Sequence, residues 1–343
     1  MIKQTLNTFF NEKLTPEVKL IYWLLVLNFL IGLVLMLTNQ LTHDYNGTIY
    51  FTTSWQLVIV PLVLLSSAVL YFHDILPPRV SLTLLTFSLY TLSLCVGLIL
   101  TQGIETTPFA TIDSYLAHAD QLLGFNQTAL LPLVYKHRWL MKLFMWGYDS
   151  IIPELIVLPL LLALLLQDRS TKVFLIAMLV SYPIGTLLFY FFPTTAPASI
   201  MHSSYFTFQE HDTYIKFYEM HHHLNITTDE GGLVAFPSFH VIWGVLLIYL
   251  AYNKKWLFYA VLLWNMVMIG STLALGWHYL LDVMSGITIA AIAIMIGEYS
   301  YLMTRKCGTL DLDDAGFDAG GEPSSPPSLS PSSSLKTIPR PFS

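Results

Sequence analysis

The sequence predicts an all-α fold, a polytopic membrane helix bundle of about eight transmembrane helices, and three observations predict it. Of 343 residues, 55% are hydrophobic and 11% charged, where a soluble domain carries about 25% charge. The excess apolar residues must face lipid. They fall in runs of about 20, the length that crosses a bilayer as helix. The lysines and arginines sort by loop, as they do when one side is cytoplasmic. Net charge is −6, which argues against a nucleic-acid partner. Cys95 and Cys307 lie far apart in or beside apolar runs, a pattern of neither a disulfide framework nor a metal cluster.

The spans are read at 20–38, 55–72, 80–101, 143–166, 172–192, 238–252, 256–276 and 279–300. The first follows a polar, basic stretch and is too long for a signal-peptide apolar region, so it reads as a retained anchor. The fourth carries Asp149 and Glu154. Ionisable groups inside a bilayer are costly and mark pairing or function. Both readings stay open here, pairing with Lys142 or Arg138, or a hydrogen bond to a polyol head group. The sixth is short, so it starts earlier or lies buried among other helices.

One set of loops holds Lys3, Lys13, Lys19, Arg79, Arg169, Lys172, Lys254, Lys255, Arg305 and Lys306; the opposite set holds Lys136, Arg138, Lys142 and Lys216. The first set is expected to be cytoplasmic, with both termini inside. Loops 39–54, 102–142 and 193–237 then face the periplasm, lumen or exterior. Three N-x-T sequons, at Asn46, Asn126 and Asn225, fall on that side. Residues 112–125, IDSYLAHADQLLGF, place Ile112, Tyr115, Leu116, Ala119, Leu122 and Leu123 at helical spacing. They predict a helix lying on the outer membrane surface or simply connecting two spans. From Asp311 the chain turns rich in Pro, Ser, Gly and Asp and cannot bury a core. The expected organisation is N-terminal helices over 1–104, a catalytic core over 105–304 and a disordered cytoplasmic tail over 305–343.

Chemistry concentrates in two stretches. In FPSFHVIWG, residues 236–244, His240 stands at the outer mouth of the sixth span, and Ser238 is placed to cap its helix. In GSTLALGWHYLLDVMSG, residues 270–286, His278 and Asp282 are four apart, so a helix puts the carboxylate beside the imidazole. The sixth span runs inward from His240 and the seventh runs back out to His278, so both histidines reach one membrane face. Two histidines and an aspartate suit phosphoryl transfer. One imidazole attacks phosphorus, and the other protonates the departing oxygen and then deprotonates the acceptor. No metal or other cofactor is needed if cations and helix N-termini hold the phosphate oxygens.

These residues resemble the phosphatidic acid phosphatase type 2 superfamily, whose pattern has three parts: Lys-x6-Arg-Pro, Pro-Ser-Gly-His and Ser-Arg-x5-His-x3-Asp. The second part stands here as Pro237-Ser238-Phe239-His240, and the third as Ser271-Thr272, five residues, His278, three residues, Asp282. The resemblance implies a six-helix core with His278 as nucleophile, Asp282 as its orienting partner and His240 as acid/base. The departures are Phe239 for glycine, Thr272 for the phosphate-binding arginine, and the missing Lys-x6-Arg-Pro. They make the chain most similar to the inositol phosphorylceramide synthase-like inositolphosphotransferases, as do GGLVAFPSFH, WGYDSIIPE and FFPTTAP.

The implied activity is a metal-independent transfer of a phospho-head group from a phospholipid donor to a lipid hydroxyl, or to water in a lipid phosphatase of the same superfamily, acting in sphingolipid or phospholipid metabolism. A non-catalytic membrane protein with a decayed site is the third reading. With the arginine gone, Lys136 and Arg138 are the candidate phosphate cations and Lys216 the third; simple contact with lipid head groups is the alternative. His211, Asp212, Glu219 and the run His221-His222-His223 read as a solvated loop before a metal site, and Asp229 and Glu230 as solvent-facing acids.

Overall fold

A computed structural model describes residues 15–42, 54–71, 75–165, 168–206, 208–222, 224–228 and 234–317. The described residues are all helical or irregular, with no strand. Helix α1 spans Pro16–Thr42, α2 Ser54–Tyr71, α3 Pro78–Glu105, α4 Asp113–Leu122, α5 Gln127–Tyr135, α6 Arg138–Asp149, α7 Ile151–Leu164, α8 Asp168–Phe191, α9 Phe208–His221, α10 Phe239–Leu250, α11 Lys255–Ala274 and α12 Leu280–Phe317. A 3₁₀ turn, Pro197–Ser199, lies between α8 and α9.

Among the described residues five helices are long and apolar enough to cross a membrane: α1, α3, α8, α11 and the Leu280–Arg305 part of α12. A sixth crossing arises if α6 and α7 count as one span, broken by 50°. The break falls at Ser150, with Pro153 in the first turn of α7, where a proline starts a helix at no hydrogen-bonding cost. The short sixth span is α10, twelve residues or roughly 18 Å, well under the ~30 Å of a hydrocarbon core. Its buried residues Val241, Ile242, Leu246, Leu247 and Leu250 set it among other helices.

The bundle is built around α8. Of its apolar stretch 72% is buried inside the protein, against 22% for α1, so α8 is the hub and α1 faces lipid along most of its length. Helix α8 packs on α1, α3, α7 and α10, and α11 packs on α6 and α10. Phe174, Ile176, Met178, Leu246, Leu250, Met268 and Ala293 meet in the main core. Glycines bring backbones together where needed. A Cβ on Gly286 of α12 would meet the Ser238 carbonyl at 2.8 Å, and one on Gly103 of α3 would meet the Gly32 carbonyl of α1 at 2.9 Å.

Helix α4 turns a different face inward from the one expected of a membrane-surface helix. Asp113, Leu116, Ala117 and Asp120 are buried, while Tyr115, Leu122 and Leu123 are exposed. The two aspartates face the protein because they hold its backbone, as described below.

The bundle, residues 1–305, and residues 306–343 form two units. Of the second, helix is described as far as Phe317. The expected disordered tail otherwise falls outside the described residues, as do Asn46, His223, Asp229 and Glu230.

Candidate active site

The third motif is shaped by the way α11 ends. Gly276 adopts φ +88°, a left-handed conformation that closes helices cheaply in glycine. The Thr272 carbonyl then accepts from both Trp277 N and His278 N, each at 3.1 Å. The chain re-enters helix at Leu280. Within that turn the Asp282 carboxylate accepts from Tyr279 N at 2.8 Å and faces His278 Nδ1 at 3.2 Å through the same oxygen, Oδ2. His278 and Asp282 are buried, and Asp282 Oδ1 is buried without a partner.

The second motif packs against the third. Ser238 caps α10, its hydroxyl accepting from Val241 N at 3.4 Å. Its own N–H donates to the Asp282 carbonyl at 3.2 Å, and Gly286 leaves room for that approach. The result is that the His240 and His278 rings stand 6.1 Å apart between centroids. This separation puts both imidazoles within reach of one bound phosphate group. Both line one partly open cavity with Tyr148, Ala196, Thr213, Val234, Ala235 and Trp277.

Most of these lining residues lie in the stretches quoted above, with no role assigned to them there. Tyr148, at the end of α6, is sandwiched between His240 at 4.4 Å and Trp277 at 5.2 Å, both stacked. The stack fixes the His240 ring plane and shields it from water. Ala196 takes φ 72°, a conformation that costs a non-glycine residue about 1–3 kcal/mol and gathers at functional sites.

Two further carboxylates brace the site from behind. Asp113 accepts from Thr195 N at 3.0 Å, from the Thr195 hydroxyl at 3.1 Å and from the Tyr279 hydroxyl at 3.0 Å. It thus ties the loop bearing Ala196 to the residue next to His278. Asp120 accepts from Leu280 N at 2.7 Å and Leu281 N at 3.2 Å, satisfying the donors that the start of α12 leaves orphaned. Burial pushes both carboxyls up, and these donors pull them back. A pair of acids seven apart on one helix side was the available sequence signal.

The remaining sequence candidates lie elsewhere. Lys136, Arg138 and Asp149 are exposed and absent from the cavity lining. Glu154 accepts from Ser150 Oγ and from Asn265 Nδ2, each at 2.8 Å, and Trp264 Nε1 donates to Ser150 Oγ at 2.7 Å. It joins α7 to α11 and does not line the cavity. Thr272, where the resembling family has arginine, turns its hydroxyl to the Ile269 carbonyl at 2.7 Å, so this position offers nothing to a phosphate. Lys216 is fully buried on α9. His221 bonds the Phe217 and Thr107 carbonyls and His222 the Tyr218 carbonyl. Among the described residues no group of three or more His, Cys, Asp or Glu is arranged to hold a metal ion.

A family model described as the PAP2 superfamily matches residues 114–296, more than half of the chain. The chain belongs to the PAP2 superfamily. The match begins in α4 and ends within α12, so it takes in both histidine motifs and leaves α1–α3 outside. No curated protein and no solved structure matches the chain. Membership makes it a membrane protein of a lipid phosphatase or phosphotransferase type.

Proposed function

We propose that this PAP2-superfamily protein is a lipid phosphotransferase that moves a phospho-head group, such as phosphoinositol, onto a lipid hydroxyl through a phosphohistidine. The observation that carries the reading is the facing pair of imidazoles, 6.1 Å apart across one cavity, with a buried carboxylate on one of them. Asp282 accepts from Nδ1–H of His278, which leaves the Nε2 lone pair for phosphorus. Nε2 attacks, the bond from phosphorus to the donor lipid oxygen breaks, and His240 gives that oxygen its proton. The acceptor hydroxyl then loses its proton to His240 and attacks phosphorus. The phosphorus–nitrogen bond breaks and His278 returns neutral.

The lining supports a lipid acceptor over water. Tyr148 and Trp277 close one side of the cavity with stacked aromatic surface, and Val234, Ala235 and Ala196 are apolar. Apolar walls limit the water that can reach a phosphohistidine. The convergence of His240, His278 and Asp282 is also the arrangement a decayed site has no reason to keep. The loop distribution of lysine and arginine supports a site on the periplasmic or lumenal face, with both termini cytoplasmic. Exposed Lys136, Arg138 and Asp149 are then available to lipid head groups outside the cavity.

The test is turnover in detergent with labelled phosphatidylinositol or phosphatidate, with and without ceramide or diacylglycerol, followed by product mass. Transfer to the added lipid, lost in His278→Ala, is expected. Free phosphate or inositol phosphate without lipid transfer, also lost in the variant, would make the protein a hydrolase. Turnover unchanged in His278→Ala would overturn the mechanism.

A further inference from the structure

A second cavity lies where α4 passes into α5, and it shares no lining residue with the one at the histidines. Helix α4 closes through Gly124 at φ +78°. Asn126 then opens α5, its Oδ1 accepting from Ala129 N at 3.1 Å and from the Thr128 hydroxyl at 2.8 Å. The reversal leaves a partly open space of about 90 Å³, where one water needs about 10–15 Å³. Two of its lining residues, Asp120 and Gln127, are each 2% exposed. Gln127 Nε2 donates to the Leu273 carbonyl at 2.6 Å, and its Oε1 is buried with no partner. An acceptor left so is costly, and a ligand hydroxyl would satisfy it. Gln121, Asn126 and Thr128 also line the space and are exposed. Among the described residues nothing bonds the Asn126 Nδ2 or the Gln121 amide.

This set of groups selects a ligand class. Among the described residues no Lys, Arg or His lines the cavity, which disfavours an anion. The Asp120 carboxylate already accepts from Leu280 N and Leu281 N, which disfavours a cation. A carboxamide offers a donor and an acceptor side by side, the pairing that adjacent hydroxyls match. Ala117, Phe125 and Met201 add apolar surface for a C–H face. We propose that this cavity binds a neutral polyol through vicinal hydroxyls, and that the bound polyol steadies the turn carrying His278. Both buried residues reach that turn. Gln127 holds Leu273 at the end of α11, and Asp120 holds Leu280 and Leu281 at the start of α12, so the two anchors bracket His278 in sequence. Ala117 and Met201 pack with Tyr279 in one apolar cluster. A ligand that orders both anchors is thereby coupled to the turn between them. The site stands apart from the transfer reading and does not depend on it.

The experiment uses full-length protein in detergent, made in a host that attaches no N-glycan, because Asn126 begins a sequon. Myo-inositol and glucose are the probes, read by titration calorimetry and by hydrogen exchange. Gln121→Ala, at an exposed position, is expected to weaken the polyol about fivefold, the worth of one neutral hydrogen bond. Gln127→Leu is expected to weaken it at least as much; should that variant fail to fold, Gln121→Ala alone decides. His278→Ala is expected to bind as the wild type does, which separates this cavity from the one at the histidines. Saturating polyol is expected to slow amide exchange over residues 277–282, and to slow it less in Gln121→Ala at the same concentration. In His278→Ala, displacement of myo-inositol by phosphatidylinositol micelles and not by phosphatidate micelles would make a lipid head group the source of the polyol. No displacement by either would make it a free polyol. No saturable binding of either probe by the wild-type protein, or wild-type affinity in Gln121→Ala, would overturn the site. Binding with unchanged exchange over 277–282 would overturn the coupling. Lipid turnover enters neither readout, so the site and the transfer reading fail separately.

Discussion

The two ends of the bundle handle charge in opposite ways. At the end away from the histidines, acids meet bases. Arg169 donates to Glu298 at 2.7 Å, Lys172 pairs with Asp168 at 3.0 Å, and Arg305 approaches Glu17 at 3.7 Å. These side chains are mostly partly exposed, that of Arg169 by 48%. At the end that holds the histidines, Asp113, Asp120 and Asp282 are buried, and each takes its hydrogen bonds from backbone N–H, hydroxyl or imidazole groups. Exposed ion pairs contribute little and are screened by salt. Buried carboxylates held by directed donors are rigid and expensive to disturb. The end with the ion pairs fastens helices, and the end with the histidines keeps a geometry.

The sharpest way to break this contrast is at the His278–Asp282 contact. Asp282→Asn retains the shape but offers an amide to the wrong tautomer, and in a comparable carboxylate–imidazole pair that change costs roughly ten-thousandfold in kcat. Labelled-lipid turnover checks it, and a loss below tenfold would make Asp282 structural. Next comes Asp113→Ala, which strands the Thr195 N–H and the Tyr279 hydroxyl. A buried unsatisfied group costs about 1–3 kcal/mol, so the thermal midpoint in detergent should fall clearly, with Asp113→Asn falling less. Equal losses for the two variants would remove the hydrogen-bonding account.

Tyr148→Ala removes a stack worth about 1 kcal/mol, and kcat/KM should drop roughly fivefold, with Tyr148→Phe near wild type. A deficit in Tyr148→Phe as large as in Tyr148→Ala would point to the hydroxyl instead of the ring. Smallest is Arg169→Gln, expected to cost under about 1 kcal/mol and to leave turnover unchanged. Its destabilisation should shrink further in high salt, and a large salt-independent loss would erase the distinction between the two ends.

How much of this was legible differed by residue. His278 and Asp282 share one turn, so their spacing alone announced their contact. His240 needed only the direction of two spans. Tyr148 could not be read as its partner, because the stack joins residues 92 positions apart in sequence. Asp113 and Asp120 were in view, but the apolar residues of α4 drew attention to the face that points outward. The fourth span looked continuous by hydropathy, which is blind to a bend, though Ser150 and Pro153 mark a helix start. The Ser238 cap was expected and present; its N–H bond to the Asp282 carbonyl is tertiary and had no local signal.

The bend at Ser150 carries a consequence of its own. Tyr148 lies two residues above it, and the angle between α6 and α7 is pinned by Ser150 and Glu154 to Trp264 and Asn265 of α11. The orientation of the ring on His240 is therefore set by α7 and α11, through residues outside the cavity lining. A random screen for inactive alleles should collect changes at Asn265 and Trp264 alongside the histidines. Such alleles would yield folded, membrane-inserted protein, with the lesion several turns of helix away from the chemistry it disables.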